Sequence, residues 1–255
     1  MKCLKIFTIV LTVTAYLLAI ACFVACIFLL INGTEPGLYS IRPPSINQGR
    51  SAELEQTFDY GDGYLKSIVF IGDKTIAKLP ETQSHIDRDQ VWSGVDGTLD
   101  LDYDLPTTSI ICCDNETSLT EAVKQYVPKY VIITVGLENG VGYCNEETFK
   151  EYYGRLIESI KEASPKTRII LQSIFPVSQK AGSSTPAISN DRIDKANSWI
   201  SELASKYSVK YLDTASILKS QNGTLKDEYD SGNGITLNQK GYSAVLEYIR
   251  THGYK

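Results

Sequence analysis

From Ser67 onward, short uninterrupted apolar runs alternate with stretches whose apolar residues recur every three or four positions. The runs are residues 68–71, 109–112, 130–135, 168–173 and 210–212. A strand covered on one face alternates polar with apolar, whereas an unbroken run is buried on both faces. That pattern calls for a parallel sheet with helices on either side. The intervening stripes fit those helices. Phe149, Tyr153, Leu156, Ile157 and Ile160 form one, opened by an Asn145 cap and stopped before Pro165. A second is Ile193, Ala196, Ile200, Leu203 and Tyr207, and a third is Tyr242, Val245, Leu246 and Ile249. The expectation is an α/β fold of three layers around a parallel sheet of about five strands, in a domain (63–255) large enough for one hydrophobic core.

Three segments carry candidate chemistry. The first, Ser67-Ile-Val-Phe-Ile-Gly-Asp-Lys-Thr-Ile76, reads as a buried strand that enters a tight Gly-Asp turn and then opens a helix. The second is Tyr130-Val-Ile-Ile-Thr-Val-Gly-Leu-Glu-Asn139, a strand followed by a loop. The third, Asn233-Gly-Ile-Thr-Leu-Asn-Gln-Lys-Gly-Tyr242, precedes the last helix. In order and spacing these resemble the blocks of the SGNH (GDSL-type) hydrolases over roughly residues 66 to 250, which implies a flavodoxin-like three-layer fold. The resemblance also implies site positions. The family's nucleophilic serine falls on Lys74, its aspartate on Asn233, its base histidine on Thr236 and its oxyanion-hole asparagine on Glu138. With one extra residue in the turn, Asn139 takes the asparagine's place instead.

None of the four family residue types is kept, and the losses fall on proton transfer. A serine hydroxyl attacks an ester at neutral pH only when an imidazole accepts its proton and a carboxylate orients that imidazole. Thr236 cannot accept the proton, and Asn233 cannot stabilise an imidazolium by charge. A carboxylate at Glu138 opposes the negative charge that an oxyanion hole is built to stabilise. Lys74 leaves two readings: a desolvated lysine acting as nucleophile or base, or an ion pair with Glu138 that plugs the former pocket. The second is favoured, with a partly buried pair that is costly to break on one side only.

Around these positions, Gln90-Val-Trp-Ser-Gly-Val-Asp-Gly-Thr98 stands where the family's second block supplies an oxyanion donor, so Gly94 and Gly97 are candidates and Trp92 could stack on a sugar. Residues 175–186 form a long, mostly polar connection, a candidate wall of the cleft. The two histidines, His85 and His252, lack the family spacing.

Residues 6–31 carry no charge and, at 26 residues, exceed the ~20 needed to cross a bilayer. The apolar stretch outlasts the h-region of a cleaved signal peptide. With Lys2 and Lys5 before it, an uncleaved single-pass anchor with a cytoplasmic N-terminus is expected. Residues 1–5 would then be a cytoplasmic tail, 32–62 a Pro- and Gly-containing stalk, and the remainder extracytoplasmic. In an oxidising compartment Cys144 could pair with Cys112 or Cys113, or all three could stay thiols. No metal-ligand spacing and no nucleotide loop is present, so no metal or cofactor is expected. A net charge of −5 without a basic cluster argues against nucleic acid. The main expectation is a membrane-anchored, catalytically inactive protein that binds an envelope glycan or an acylated ligand through Lys74, Glu138, Asn139 and Trp92. An active deacylating hydrolase with a non-standard site and a structural subunit of an envelope complex, with a protein partner, are the alternatives.

Overall fold

The computed structural model describes residues 52–81 and 86–254. A first short helix, α1 (Asp62–Leu65), leads into the central strand β1 (Ile68–Gly72), which ends at the turn into α2 (Lys74–Ala77). There follow an edge strand β2 (Val91–Trp92), a hairpin of β3 (Ser109–Cys112) and β4 (Asn115–Ser118), and α3 (Leu119–Tyr126). Next come β5 (Tyr130–Thr134), α4 (Glu146–Ala163), β6 (Arg168–Gln172), α5 (Gln179–Ser184), α6 (Asn190–Lys206) and β7 (Lys210–Leu212). The chain closes with α7 (Ala215–Leu218) and α8 (Gln239–Thr251).

The five-stranded sheet runs β2-β1-β5-β6-β7, and its neighbouring strands are parallel. Unbroken apolar sequence is explained by cover on both faces. Ile71, Val131, Ile133, Ile169 and Leu171 pack under the stripes of α4 and α6. Phe70, Ile132 and Ile170 point the other way, onto Tyr242, Val245, Leu246 and Ile249 of α8. The caps follow the sequence as well: the Asn145 side chain accepts from the Thr148 amide (2.9 Å) and Asn238 from the Gly241 amide (3.0 Å).

One run is misplaced by the apolar pattern. Residues 109–112 are not in the parallel sheet; they pair antiparallel with 115–118, and only Ile110 and Cys112 are buried. Cys113 and Asp114 both take left-handed backbone angles (φ 52° and 61°), the two-residue turn whose twist suits a hairpin. The fifth parallel strand is instead Val91–Trp92, paired at Phe70↔Val91 and Ile71↔Trp92. Two residues are too few to show a period.

The end of the expected stalk lies against the domain, with the Thr57 amide donating to the Thr251 carbonyl and the Tyr60 amide to Arg250. The described part of the compact unit begins at Ala52. Glu53 bridges in parallel to Tyr211, with the Leu54 amide donating to the Tyr211 carbonyl and the Tyr211 amide to Ala52, both at 2.8 Å. Residues 52–54 therefore extend the sheet beyond β7. The proposed span 6–31 lies outside the described residues; among those, no helix is long and apolar enough to cross a membrane.

Candidate functional site

The loops leaving the C-terminal ends of the parallel strands gather at one edge, where open α/β sheets place their sites. β1 can turn there because Gly72 has no side chain: a Cβ would lie 2.8 Å from the Ile76 Cβ and 2.9 Å from the Thr134 carbonyl. Asp73 then caps α2, accepting from the Thr75 amide (3.0 Å) and the Thr75 hydroxyl (2.7 Å). Its carboxyl is fully buried. Desolvation pushes its pKa up to about 6, against the bonds from Thr75 and from the Leu137 amide, and the charge of Glu138 adds to the rise.

Lys74 opens α2, and its Nζ lies 3.7 Å from Oε2 of Glu138 in the loop after β5. The two side chains thus meet each other. The neighbouring Asn139 is exposed, and it is Glu138 whose side chain reaches Lys74. The pair is more open than the sequence suggests, with side chains 48% and 39% exposed. A pair so hydrated contributes at most about 1 kcal/mol, less than the partly buried pair expected from the sequence would lose on breaking one side. The Lys74 side chain is thus half open to solvent.

Asn233 and Thr236 are bonded within their own loop. The Asn233 Oδ1 accepts from the amides of Ile235 and Thr236 (both 2.9 Å) and from the Thr236 hydroxyl (3.2 Å). Thr236 is buried, and its hydroxyl shares a 2.6 Å bond with Ser231. Asp230 holds the same loop through the Gly232 and Gly234 amides, both at 2.8 Å. This loop connects to the first through α8, where the buried Tyr242 hydroxyl donates to the Thr75 carbonyl (2.6 Å). His252 lies at the other end of α8, on the order of 20 Å from Thr236 at 1.5 Å per residue. There it stacks on Tyr248 and bonds the Tyr248 carbonyl through Nδ1. His85 lies outside the described residues.

The second-block candidates are also engaged. The Gly94 amide donates to the Thr98 carbonyl and the Gly97 amide to Gly94, both at 2.8 Å, so the turn uses both N–H groups internally. Trp92 is 1% exposed and donates its indole N–H to the Asp89 carbonyl. It is a core residue with no face for a sugar, which corrects its assignment as a ligand contact. Next to this turn opens a cavity of about 570 Å³, lined by Lys74, Ala77, Lys78, Arg88, Val95 and Cys113 among others. Cys112, Cys113 and Cys144 are free thiols. The connection after β6 is not a polar wall throughout: Phe175 and Val177 are fully buried. Asn197 brackets the backbone of Ile174 and Asn190 that of Val177, each through one amide and one carbonyl.

The family model for GDSL-like lipases and acylhydrolases matches residues 70–244, from β1 into the last helix. The chain belongs to the GDSL-like lipase/acylhydrolase family. Among solved structures, it is similar to a GDSL-like lipase from Bacteroides thetaiotaomicron VPI-5482, with 18% identity and a TM-score of 0.54 over 73% of this chain and 87% of that one. A protein from Bacteroides fragilis NCTC 9343 described as an acylhydrolase gives 17% identity and a TM-score of 0.54, over 78% and 90% of the two chains. At such identities the likeness is one of fold. No curated protein matches the chain.

Within this GDSL-like domain, the strand ends hold polar groups that periodicity passes over. The Thr134 hydroxyl donates to the Gln172 side chain and the Gln172 amide donates to the Thr214 hydroxyl, both at 2.7 Å and both buried. With Asp73 they form a polar floor under the site. Their trace in the sequence is a polar residue within or just after an apolar run, and an Asp two residues before a Thr at a helix start.

Proposed function

We propose that this GDSL-like domain is catalytically inactive as an acyl hydrolase and works as a binding module, tethered to a membrane by residues 6–31, for an envelope glycan or another acylated ligand. The observation that carries the reading is the Lys74–Glu138 contact, which puts an ion pair where the family's nucleophile and oxyanion donor would stand. Two further features support it. The hydroxyl at the base position, Thr236, is held by Ser231 and Asn233, and the amides of Gly94 and Gly97 are spent inside their own turn.

The ligand class is inferred from the family name, which speaks of lipases and acylhydrolases. The open cavity beside Lys74 gives such a ligand room. The tether is supported by the uncharged 26-residue stretch and the lysines that precede it.

The test is to titrate the purified chain with an O-acetylated oligosaccharide and follow both partners by NMR. Saturable shifts with the acetyl group left intact are expected, weakened in Lys74→Ala and Glu138→Gln. Release of acetate at a rate proportional to protein would overturn the reading, as would the absence of any saturable shift.

A further inference from the structure

The edge of the sheet opposite the site has a composition of its own. In a parallel sheet every strand begins at the same edge, and here the registers Ile68↔Tyr130 and Tyr130↔Arg168 place three strand starts level. Exposed cations stand at these starts: Lys66 before β1, Lys129 before β5, Lys166 and Arg168 at β6, and Lys206 before β7. Helix C-termini gather at this edge too and attract cations, but that effect fades within the last turn. Lys129 and Lys166 lie beyond the helix caps at Val127 and Ser164.

An aromatic ladder crosses the same edge. Ring centroids run Phe58 to Tyr60 (4.4 Å), Tyr60 to Tyr64 (5.4 Å), Tyr64 to Tyr130 (5.2 Å) and Tyr130 to Tyr254 (5.9 Å). Lys129 and Arg168 sit over the Tyr130 ring. The outermost ring, Phe58, is 73% exposed. Of the acids nearby in sequence, Asp59 and Asp62 are both paired with Arg250 at 3.1 Å. Glu53, Glu55 and Glu162 remain exposed against the cations. By contrast, the connection leaving β2 on the site side carries exposed Asp96, Asp100, Asp102 and Asp104. The chain also enters the described unit at the cationic edge, because the bridge Glu53↔Tyr211 is parallel to β7.

We infer that this edge is a docking surface for anionic phospholipid, with Lys66, Lys129, Lys166, Arg168 and Lys206 facing headgroup phosphates and Phe58 entering the interfacial layer. Aromatic rings with cations beside them suit the boundary between headgroups and acyl chains. Each lysine near an anionic surface adds about 1 kcal/mol, over a range limited by salt screening. The inference rests on the proposed membrane attachment and goes beyond it, since it gives the domain a second, charge-selective contact that holds the site away from the lipid.

The full chain carrying Phe58→Trp, reconstituted into phosphatidylglycerol or phosphatidylcholine nanodiscs, tests this directly. The two native tryptophans are buried, at 1% and 8% exposure, and give a constant background. In phosphatidylglycerol discs a blue shift of emission and quenching by brominated lipid are expected. Both should be lost when Lys66, Lys129 and Lys166 are changed to Gln. Equal emission in the two lipids, shifted or not, overturns the inference, as does a shift that survives the triple change. Should the chain fail to co-elute with either disc, the attachment itself has failed. Flotation of the same protein with vesicles then decides: recovery with phosphatidylglycerol vesicles, reduced roughly a hundredfold in partition by the triple change, upholds the surface. Recovery with neither lipid, or with both equally, overturns it.

Discussion

Asp73 is the residue at which burial and chemistry meet. Its carboxyl is buried, and desolvation holds its folded pKa at about 6, above the ordinary 3.8. A carboxyl shifted upward binds its proton more tightly in the folded chain than in the unfolded one. Its contribution is therefore present in full below pH 3.8 and is lost as pH rises through 6, a change of roughly 3 kcal/mol. Melting temperatures taken from pH 4 to pH 6.5 should fall with rising pH in the natural protein, and the Asp73→Asn variant should lack that part of the slope. Asparagine keeps an acceptor for the Thr75 amide, so the cap persists while the titration is removed. Parallel pH profiles for the two proteins would show that the carboxyl is solvated. The Lys74–Glu138 pair tells the complementary story. Its sequence positions are informative, but its exposure is set by loops whose course no local pattern encodes.

Among the elements, α8 links the two halves of the site. Tyr242 reaches from its buried face to the Thr75 carbonyl of the first block. Tyr242→Phe should cost about 1–2 kcal/mol, because the Thr75 carbonyl is left without its partner in a dry interior. Urea unfolding measures this directly, and a change below a few tenths of a kcal/mol would mean that water replaces the hydroxyl. The stripe that buries Tyr242 was legible because helical spacing is a local property. The same holds for α4 and α6, and for the unbroken runs that became β1, β5 and β6. What local spacing could not give is the partner of a short strand. Ser109–Cys112 reads like its parallel neighbours until Cys113 and Asp114 fold it back on Asn115–Ser118. Val91–Trp92 joins the sheet by pairing alone. Gly94, Gly97 and Trp92 were legible as a block and not as geometry, since a turn that consumes its own amides looks the same in sequence as one that offers them.

At the scale of the molecule, the parallel sheet separates two environments. The strand ends carry the polar floor of Asp73, Thr134, Gln172 and Thr214, with Lys74 and Glu138 above it. The strand starts carry exposed cations beside an aromatic ladder whose outermost ring, Phe58, is exposed. The fold follows from three blocks in order, because their strand-to-loop edges are set by the sheet. What Lys74, Asn233 and Thr236 do at those edges follows only from how each is bonded. The most direct measurement is steady-state hydrolysis of 4-nitrophenyl acetate by the purified chain, beside Lys74→Ala and a variant combining Lys74→Ser, Asn233→Asp and Thr236→His. Background turnover is predicted for the natural chain and for Lys74→Ala, with turnover above it appearing only in the combined variant. Turnover by the natural chain that disappears with Lys74→Ala would contradict the account.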